Sequence, residues 1–162
     1  MPQTRIDRVE SPDVDSPEKE NHMSSDRPNR LENALEAARA RGRIAAQAIV
    51  NSDEMLGEKA AAMMMDCPLD NLLAAHKAGF VLGLSHDGQL FFPEWQFRYD
   101  GQPFDEIAEI IALFDKKAWE VYRFMKAEHP GLNGQTGIEV MRISREPRLR
   151  PVAENWIEGG FC

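Results

Sequence analysis

Hydrophobic residues recur at helical spacing along most of the chain after its first thirty residues. The first periodic segment is Leu31–Val50, and a second predicted helix spans Glu54–Met65. A third predicted helix spans Leu69–Lys77, with Asp66 as a candidate N-cap before it. Gly79 is expected to end the third helix, because glycine readily adopts the left-handed conformation that closes helices. The second and third helices, with the short turn between them, resemble a helix-turn-helix.

Two apolar runs in the middle of the chain flank a turn signal. The runs Phe80–Leu84 and Gln89–Phe92 surround Asp87 and Gly88, a dipeptide typical of tight hairpin turns. Pro93 then ends the second run, since proline cannot donate to a strand ladder. The pattern predicts one β-hairpin in an otherwise helical chain.

Helical periodicity returns after the hairpin. Two stripes with i, i+3, i+4, i+7 spacing are formed by Ile107, Ile110, Ile111 and Phe114, and by Ala118, Val121, Tyr122 and Met125. Asp115 is a candidate cap between them, and Thr136 and Glu139 have the spacing of a capping box. A last predicted helix begins near Leu149 and includes Trp156. The fold class predicted is mainly α, with an N-terminal helix-turn-helix-like unit, a central hairpin and a C-terminal helical domain.

The same pattern divides the chain into three segments. Residues 1–29 carry four prolines and scattered apolar residues with no period, which predicts a flexible tail. Residues 30–79 form the predicted helix-turn-helix-like region, and residues 80–162 form the hairpin with the later helices.

Composition and charge narrow the possible partners. The chain has 19 Lys and Arg against 27 Asp and Glu, which gives a net charge of −8. That balance disfavours indiscriminate binding to nucleic acid or anionic lipid, and leaves open a local basic patch or a basic protein partner. No apolar run has membrane-spanning length, and the N-terminus lacks the core of a signal peptide. With two cysteines only, we expect a soluble cytoplasmic protein that has no membrane partner.

Motifs of catalysis are missing from the sequence. It has no phosphate-binding loop, nucleophile elbow or zinc-protease motif, and its four histidines are far apart. We therefore expect no catalytic residue, no cofactor and no metal site. An assignment as a small hydrolase or transferase would be supported only by the presence of carboxylates.

Candidate DNA-binding residues follow from the helix-turn-helix pattern. The predicted recognition helix contains no arginine, and its Asp70 would face phosphate unfavourably. Charge therefore favours a structural helix-turn-helix over one that reads a DNA groove. If DNA is bound, the candidates are Arg39, Arg41, Arg43, Asn71 and Lys77.

Two strings in the second half of the chain carry a family resemblance. They are Pro93-Glu94-Trp95-Gln96-Phe97 and Leu132-Asn133-Gly134-Gln135-Thr136-Gly137-Ile138-Glu139. Together with the intervening helices, they resemble the toxin-binding domain of the Xre/MbcA/ParS-type antitoxins, over residues 80–162. The preceding helix-turn-helix-like region has the position of that family's Xre-like domain. Gly137 replaces the proline usual in the family, which should loosen the helix start by somewhat under about 1 kcal/mol.

The resemblance implies an antitoxin of a type II toxin-antitoxin system. Such a protein binds a RES-domain toxin, which degrades NAD, blocks the entrance to its active site, and can also repress its own operon. Implied partners are the cognate toxin and operator DNA, in a homodimer or a toxin-antitoxin hetero-oligomer. The C-terminal region supplies the candidate toxin-binding residues Arg145, Arg148, Arg150, Trp156, Phe161 and Cys162. The alternative is a DNA-binding transcriptional regulator with little or no toxin-neutralising role.

Overall fold

The computed structural model describes the backbone of residues 3–159 and the side chains of residues 27–159. Within the described backbone, the chain forms seven α-helices, two 3-10 turns and three short strands. The helices are α1 Gln3–Val50, α2 Glu58–Met64, α3 Leu69–Ala78, α4 Asp105–Leu113, α5 Ala118–Lys126, α6 Gly137–Ile143 and α7 Leu149–Glu158. The strands are β1 Met55–Leu56, β2 Leu84–His86 and β3 Gln89–Pro93, and the 3-10 turns are Glu94–Gln96 and Pro130–Leu132. The mainly α fold class predicted from the sequence is confirmed.

The chain divides into two compact units, Met1–Ala46 and Gln47–Cys162. The first unit belongs to α1, in which nearly every described side chain before Ala46 is exposed. This helix begins at Gln3, whereas the sequence pattern predicts a first helix only from Leu31. Pro28, which has no backbone N–H, therefore lies inside the helix. The flexibility expected of residues 1–29 and the boundary expected after residue 79 both stay predictions.

The second unit contains a small antiparallel sheet with strand order β1-β3-β2. The predicted hairpin is confirmed: β2 pairs with β3, and Asp87 and Gly88 have φ values of 50° and 78° in the turn. The third strand was not predicted. Leu56 pairs with Phe92 across the sheet, so the predicted helix from Glu54 was wrong at its start, and α2 begins only after Gly57.

Two of the predicted helix signals are confirmed. Gly79 ends α3 with a φ of 88°, in the left-handed region. At the start of α6, Thr136 Oγ1 accepts from the Glu139 amide at 3.1 Å, and a Glu139 carboxylate oxygen accepts from the Thr136 amide at 2.9 Å. This reciprocal pair is a complete capping box.

The two aspartates expected to cap helices were assigned wrongly. Asp66 and Asp115 have φ values of 53° and 57°, so they reverse the chain after a helix instead of capping the next one. The N-cap positions are occupied by Pro68 before α3 and Lys117 before α5, without side-chain capping bonds. Aspartate suits both roles because its short polar side chain also tolerates the left-handed conformation.

Apolar side chains of the second unit gather in two clusters. The smaller one joins α2 and α3 to the sheet, and consists of Ala61, Ala62, Leu72, Val81, Phe92 and Phe97. The larger one lies among α4, α5, α6 and α7, with Ile107, Ile110, Phe124, Met125 and Leu149 fully buried. None of the described helices has a stretch long and apolar enough to cross a membrane.

The glycine at the first position of α6 has a packing role that the sequence did not reveal. A Cβ at Gly137 would lie 3.0 Å from Met125 Sδ and 3.2 Å from Met125 Cα. Both distances are tighter than ordinary van der Waals contact. Glycine therefore permits α6 to approach α5 closely.

Candidate partner-binding site

A groove of about 460 Å³ opens between the start of α4 and the segment that follows α6. Its lining includes Arg98, Phe104, Glu106, Met141, Arg145 and Pro147. The lining combines a few apolar side chains with charged groups of both signs, since Asp105, Glu109 and Glu146 also belong to it. Such a combination suits an anchoring side chain of a partner together with polar contacts around it.

Two carboxylates of α4 that line this groove also hold the C-terminal helix α7. Glu106 Oε2 accepts a hydrogen bond from the Leu149 amide at 3.2 Å. Burial raises the pKa of Glu106, and the backbone amides of Leu149 and Arg148 partly oppose that effect. Glu109 Oε1 accepts from Arg150 Nη1 at 3.2 Å. The first turn of α7 is therefore fixed to α4 by two neighbouring carboxylates.

The predicted arginines differ in what they contact. Arg150 forms ion pairs with Glu109 at 3.2 Å and with Glu154 at 3.1 Å, and these hydrogen bonds raise the pKa of its guanidinium. Arg145 lines the groove and is exposed, and Arg148 is exposed at the N-cap of α7. Within the described part of the chain, neither of these two forms an ion pair. They remain available to a partner, while Arg150 is engaged.

An exposed apolar side chain lies in the same segment. Ile143, the last residue of α6, is 69% exposed, and its neighbour Arg142 is exposed and lines the groove. We define the C-terminal edge as Arg142, Ile143, Arg145 and Arg148. It offers one apolar contact among positive charges that have no ion pair within residues 27–159.

Trp156 lies in a different environment from the C-terminal edge. Its ring is half-buried and packs edge-on against Phe124 and His129, with centroids 5.8 Å and 5.2 Å away. It packs against the larger apolar cluster, so part of its surface belongs to the core. The candidates Phe161 and Cys162 lie outside the described residues.

The first family-like string turns the chain from the sheet into the helical part. Trp95 and Phe97 are buried, and Gln96 is fully buried. Gln96 Oε1 accepts from the Leu82 amide at 2.6 Å, and Gln96 Nε2 donates to the Leu82 carbonyl at 2.8 Å and to the Pro93 carbonyl at 3.1 Å. These bonds make the string a folding device that joins β3 to the chain before β2.

The candidate DNA-binding residues do not all belong to one unit. Exposed Arg39, Arg41 and Arg43 belong to α1 in the first unit, and exposed Asn71 and Lys77 belong to α3 in the second. The exposed residues of α3 also include the acidic Asp70. Helix α3 therefore offers DNA one cation and one anion.

Several residues of the groove and of the C-terminal edge were not identified from the sequence. Glu106 and Glu109 recur at i, i+3 on α4, which was a signal of a shared helix face, but their partners lie more than forty residues later. Ile143 carries no signal, because its exposure depends on where α6 ends. Among residues 27–159, no three His, Cys, Asp or Glu side chains are grouped so that they could hold a metal ion.

Comparison with known proteins adds information about the fold. No family model matches the chain, and no curated protein matches it. A solved structure that it resembles is the NMR structure of Rv2175c, with a TM-score of 0.53 and 14% sequence identity. The match covers 65% of this chain and 80% of that one. At this identity the similarity is one of fold alone.

Proposed function

We propose that this protein is a cytoplasmic antitoxin that binds a RES-domain toxin and blocks access to its NAD-degrading site. The proposal rests on the two family-like strings and on the C-terminal edge, which belongs to the region that the resemblance assigns to toxin binding. The protein acts by occupying a surface and has no catalytic role of its own.

The observation that carries this proposal is the exposure of Ile143 beside Arg142 and Arg145. An apolar side chain that is 69% exposed contributes to binding when a partner excludes water around it. Arginines without an internal ion pair can form bidentate bonds to carboxylates of a partner. This arrangement supports a protein partner with an acidic, partly apolar surface.

Arg150 has a supporting role in this proposal. Its guanidinium is held by Glu109 and Glu154, so it orients α7 rather than meeting the toxin directly. Substitution of Arg150 should therefore weaken toxin binding less than substitution of Arg145.

Co-expression with a RES-domain toxin encoded beside this protein tests the proposal. We expect the wild-type chain to preserve cellular NAD and to co-purify with the toxin. The variant Ile143→Ser/Arg145→Glu should bind at least about tenfold more weakly. Arg123→Glu is the matched control, because Arg123 is exposed on α5 and does not line the groove. Equal affinity of the double variant and the wild type would overturn the assignment of this surface.

A second variant addresses the residues beyond the described chain. A chain that ends at Ile157 lacks Phe161 and Cys162 but keeps the C-terminal edge. If the final residues enter the toxin, this chain should lose NAD protection while it keeps its helical content by circular dichroism. Full protection would remove these residues from the mechanism.

A DNA-binding regulator is the second candidate function, and the topology favours it. Helices α2 and α3 are followed by the hairpin β2–β3, and β1 completes the sheet, which is the element order of a winged helix-turn-helix. The acidic Asp70 on α3 and Asp87 in the hairpin turn oppose contact with phosphate. This function predicts a salt-dependent shift of a DNA fragment from the protein's own promoter.

The DNA-binding residues can be tested in the same assay. Substitution of Lys77 by Ala should weaken binding and reduce its salt dependence, and Asn71→Ala should change sequence preference. Arg123→Ala is again the control. A promoter fragment bound with no dependence on salt or on these residues would exclude the α3 surface as the DNA contact.

A further inference from the structure

The exposed part of α1 carries a seam of residues with heptad spacing. The seam consists of five residues at alternating intervals of four and three, which is the spacing of d and a positions in a coiled coil. The d positions are Leu31, Ala38 and Ala45, and the a positions are Leu35 and Gly42. Leu31 is 63% exposed and Leu35 is 46% exposed. Nothing lies within 4 Å of the position that a Cβ of Gly42 would occupy. The seam is therefore a free apolar helix face within the described residues.

Size complementarity along the seam fits a second copy of the same helix in the opposite direction. In an antiparallel pair, a positions face d positions, so Leu31 of one helix faces Gly42 of the other, and Leu35 faces Ala38. Each large side chain then fills the space left by a small one. A parallel pair would instead place Gly42 opposite Gly42, which leaves a gap in the seam.

Charge complementarity selects the same arrangement. Glu32 and Arg39 both occupy e positions. In an antiparallel pair, e positions of the two helices face each other, and these two residues meet when the midpoint of the paired helices lies near residue 36. The alignment that joins Leu31 to Gly42 also brings Glu32 of each copy to Arg39 of the other. Both side chains are exposed, and neither forms an ion pair within residues 27–159. In a parallel pair, Arg39 would face Ala34 instead.

We propose that residues 31–45 of α1 form an antiparallel two-helix coiled coil with a second copy of this chain. The seam from Leu31 to Ala45 is about two heptads long, and a seam this short predicts a weak, reversible dimer rather than an obligate one. This inference rests on the first unit alone and does not depend on the function proposed above.

Charge reversal in the full-length protein tests the pairing. Sedimentation velocity should reveal a monomer-dimer equilibrium between about 1 and about 200 µM. Glu32→Arg and Arg39→Glu should each weaken dimerisation roughly tenfold, because two symmetric attractions become repulsions. The double variant Glu32→Arg/Arg39→Glu should restore the wild-type equilibrium. The control is the same reversal at Glu36 and Arg43, whose b positions face away from the seam.

Two further measurements test the contact surface and the direction. Leu31→Ser should abolish the dimer, whereas Ile44→Ser should leave it intact, although Ile44 is 69% exposed, because Ile44 occupies a c position. In a background with Cys67 and Cys162 replaced by serine, mixed Leu31→Cys and Gly42→Cys chains should form crossed disulfides. A chain that is monomeric throughout, a dimer insensitive to Glu32→Arg, or disulfides only between identical variants would overturn the proposal.

Discussion

The side-chain amide of Gln96 binds both polar groups of the Leu82 backbone. The Leu82 amide donates to Gln96 Oε1 at 2.6 Å, and Gln96 Nε2 donates to the Leu82 carbonyl at 2.8 Å. Both residues are fully buried, so water cannot replace either bond. One glutamine thereby satisfies an irregular stretch of chain, between α3 and β2, that has no strand partner there.

Replacement of Gln96 by leucine should lower the free energy of unfolding by about 2–5 kcal/mol. The change leaves the Leu82 amide, the Leu82 carbonyl and the Pro93 carbonyl buried without this partner, and each unsatisfied group costs about 1–3 kcal/mol. Urea denaturation measures the loss. Gln89→Leu is the matched control, because Gln89 is exposed in β3, and it should change stability by less than about 0.5 kcal/mol. Equal losses in the two variants would show that the buried hydrogen bonds of Gln96 add nothing to the free energy of unfolding.

The burial of Gln96 illustrates what the sequence could and could not predict. Periodic stripes such as Ile107, Ile110 and Ile111 predicted helix α4 and its buried face, because those signals are local. The role of Gln96 depends on Leu82, which lies fourteen residues earlier in the sequence. Strand β1 forms only because it pairs with β3, and helices α2 and α3 separate the two strands in the sequence. Such contacts between distant residues carry no local signal.

In the candidate site too, some features follow from the local sequence and others depend on tertiary packing. The family resemblance implies Arg145 and Arg148 as partner contacts, and both are exposed. That Arg150 is engaged by Glu109 could not be predicted, because the two residues belong to different helices. The resemblance implies this segment as the partner contact, and the packing of α7 on α4 decides which of its arginines have no ion pair within residues 27–159.

Gly101 should tolerate alanine much less well than Gly88 does. Both have positive φ, at 83° and 78°, so the backbone strain of a side chain is similar, about 1 kcal/mol. A Cβ at Gly101 would also overlap the carbonyl oxygen of Met64, whereas nothing lies near that of Gly88. We expect Gly101→Ala to cost about 2–4 kcal/mol in total. Thermal unfolding of the two variants measures the difference, and equal midpoints would contradict the overlap with α2.

Tyr122 should ionise only at unusually high pH. Its hydroxyl donates to Glu54 Oε1 at 2.7 Å, and burial, followed by this hydrogen bond to a carboxylate, raises its pKa. The folded state therefore holds the phenolic proton more tightly than the unfolded state. The stabilisation is complete below the free phenol's pKa of about 10 and is lost as pH rises toward the folded-state pKa.

Ultraviolet titration of the Tyr99→Phe variant isolates this group, because the chain has two tyrosines. Tyrosinate absorbance should appear above pH 10 in the folded protein and near pH 10 in urea. Adding Glu54→Gln should move the folded-state transition downward. An unchanged transition in that variant would remove the carboxylate as a cause.

The pH dependence of stability should reveal the half-buried carboxyl group of Glu106. Burial raises its pKa in the folded state, so protonation of Glu106 stabilises the folded state relative to the unfolded state. This stabilisation is complete below about pH 4.5 and is lost as pH rises through the folded-state pKa. Glu106→Gln keeps an oxygen that can accept from the Leu149 amide but carries no charge. The variant should therefore be more stable than the wild type at pH 7, and the advantage should shrink as pH falls toward 4. Glu128→Gln, at an exposed position, is the control and should show no such trend. An advantage that grows in acid would mean that the carboxylate of Glu106 is stabilised by its bonds to α7 more than it is penalised by burial.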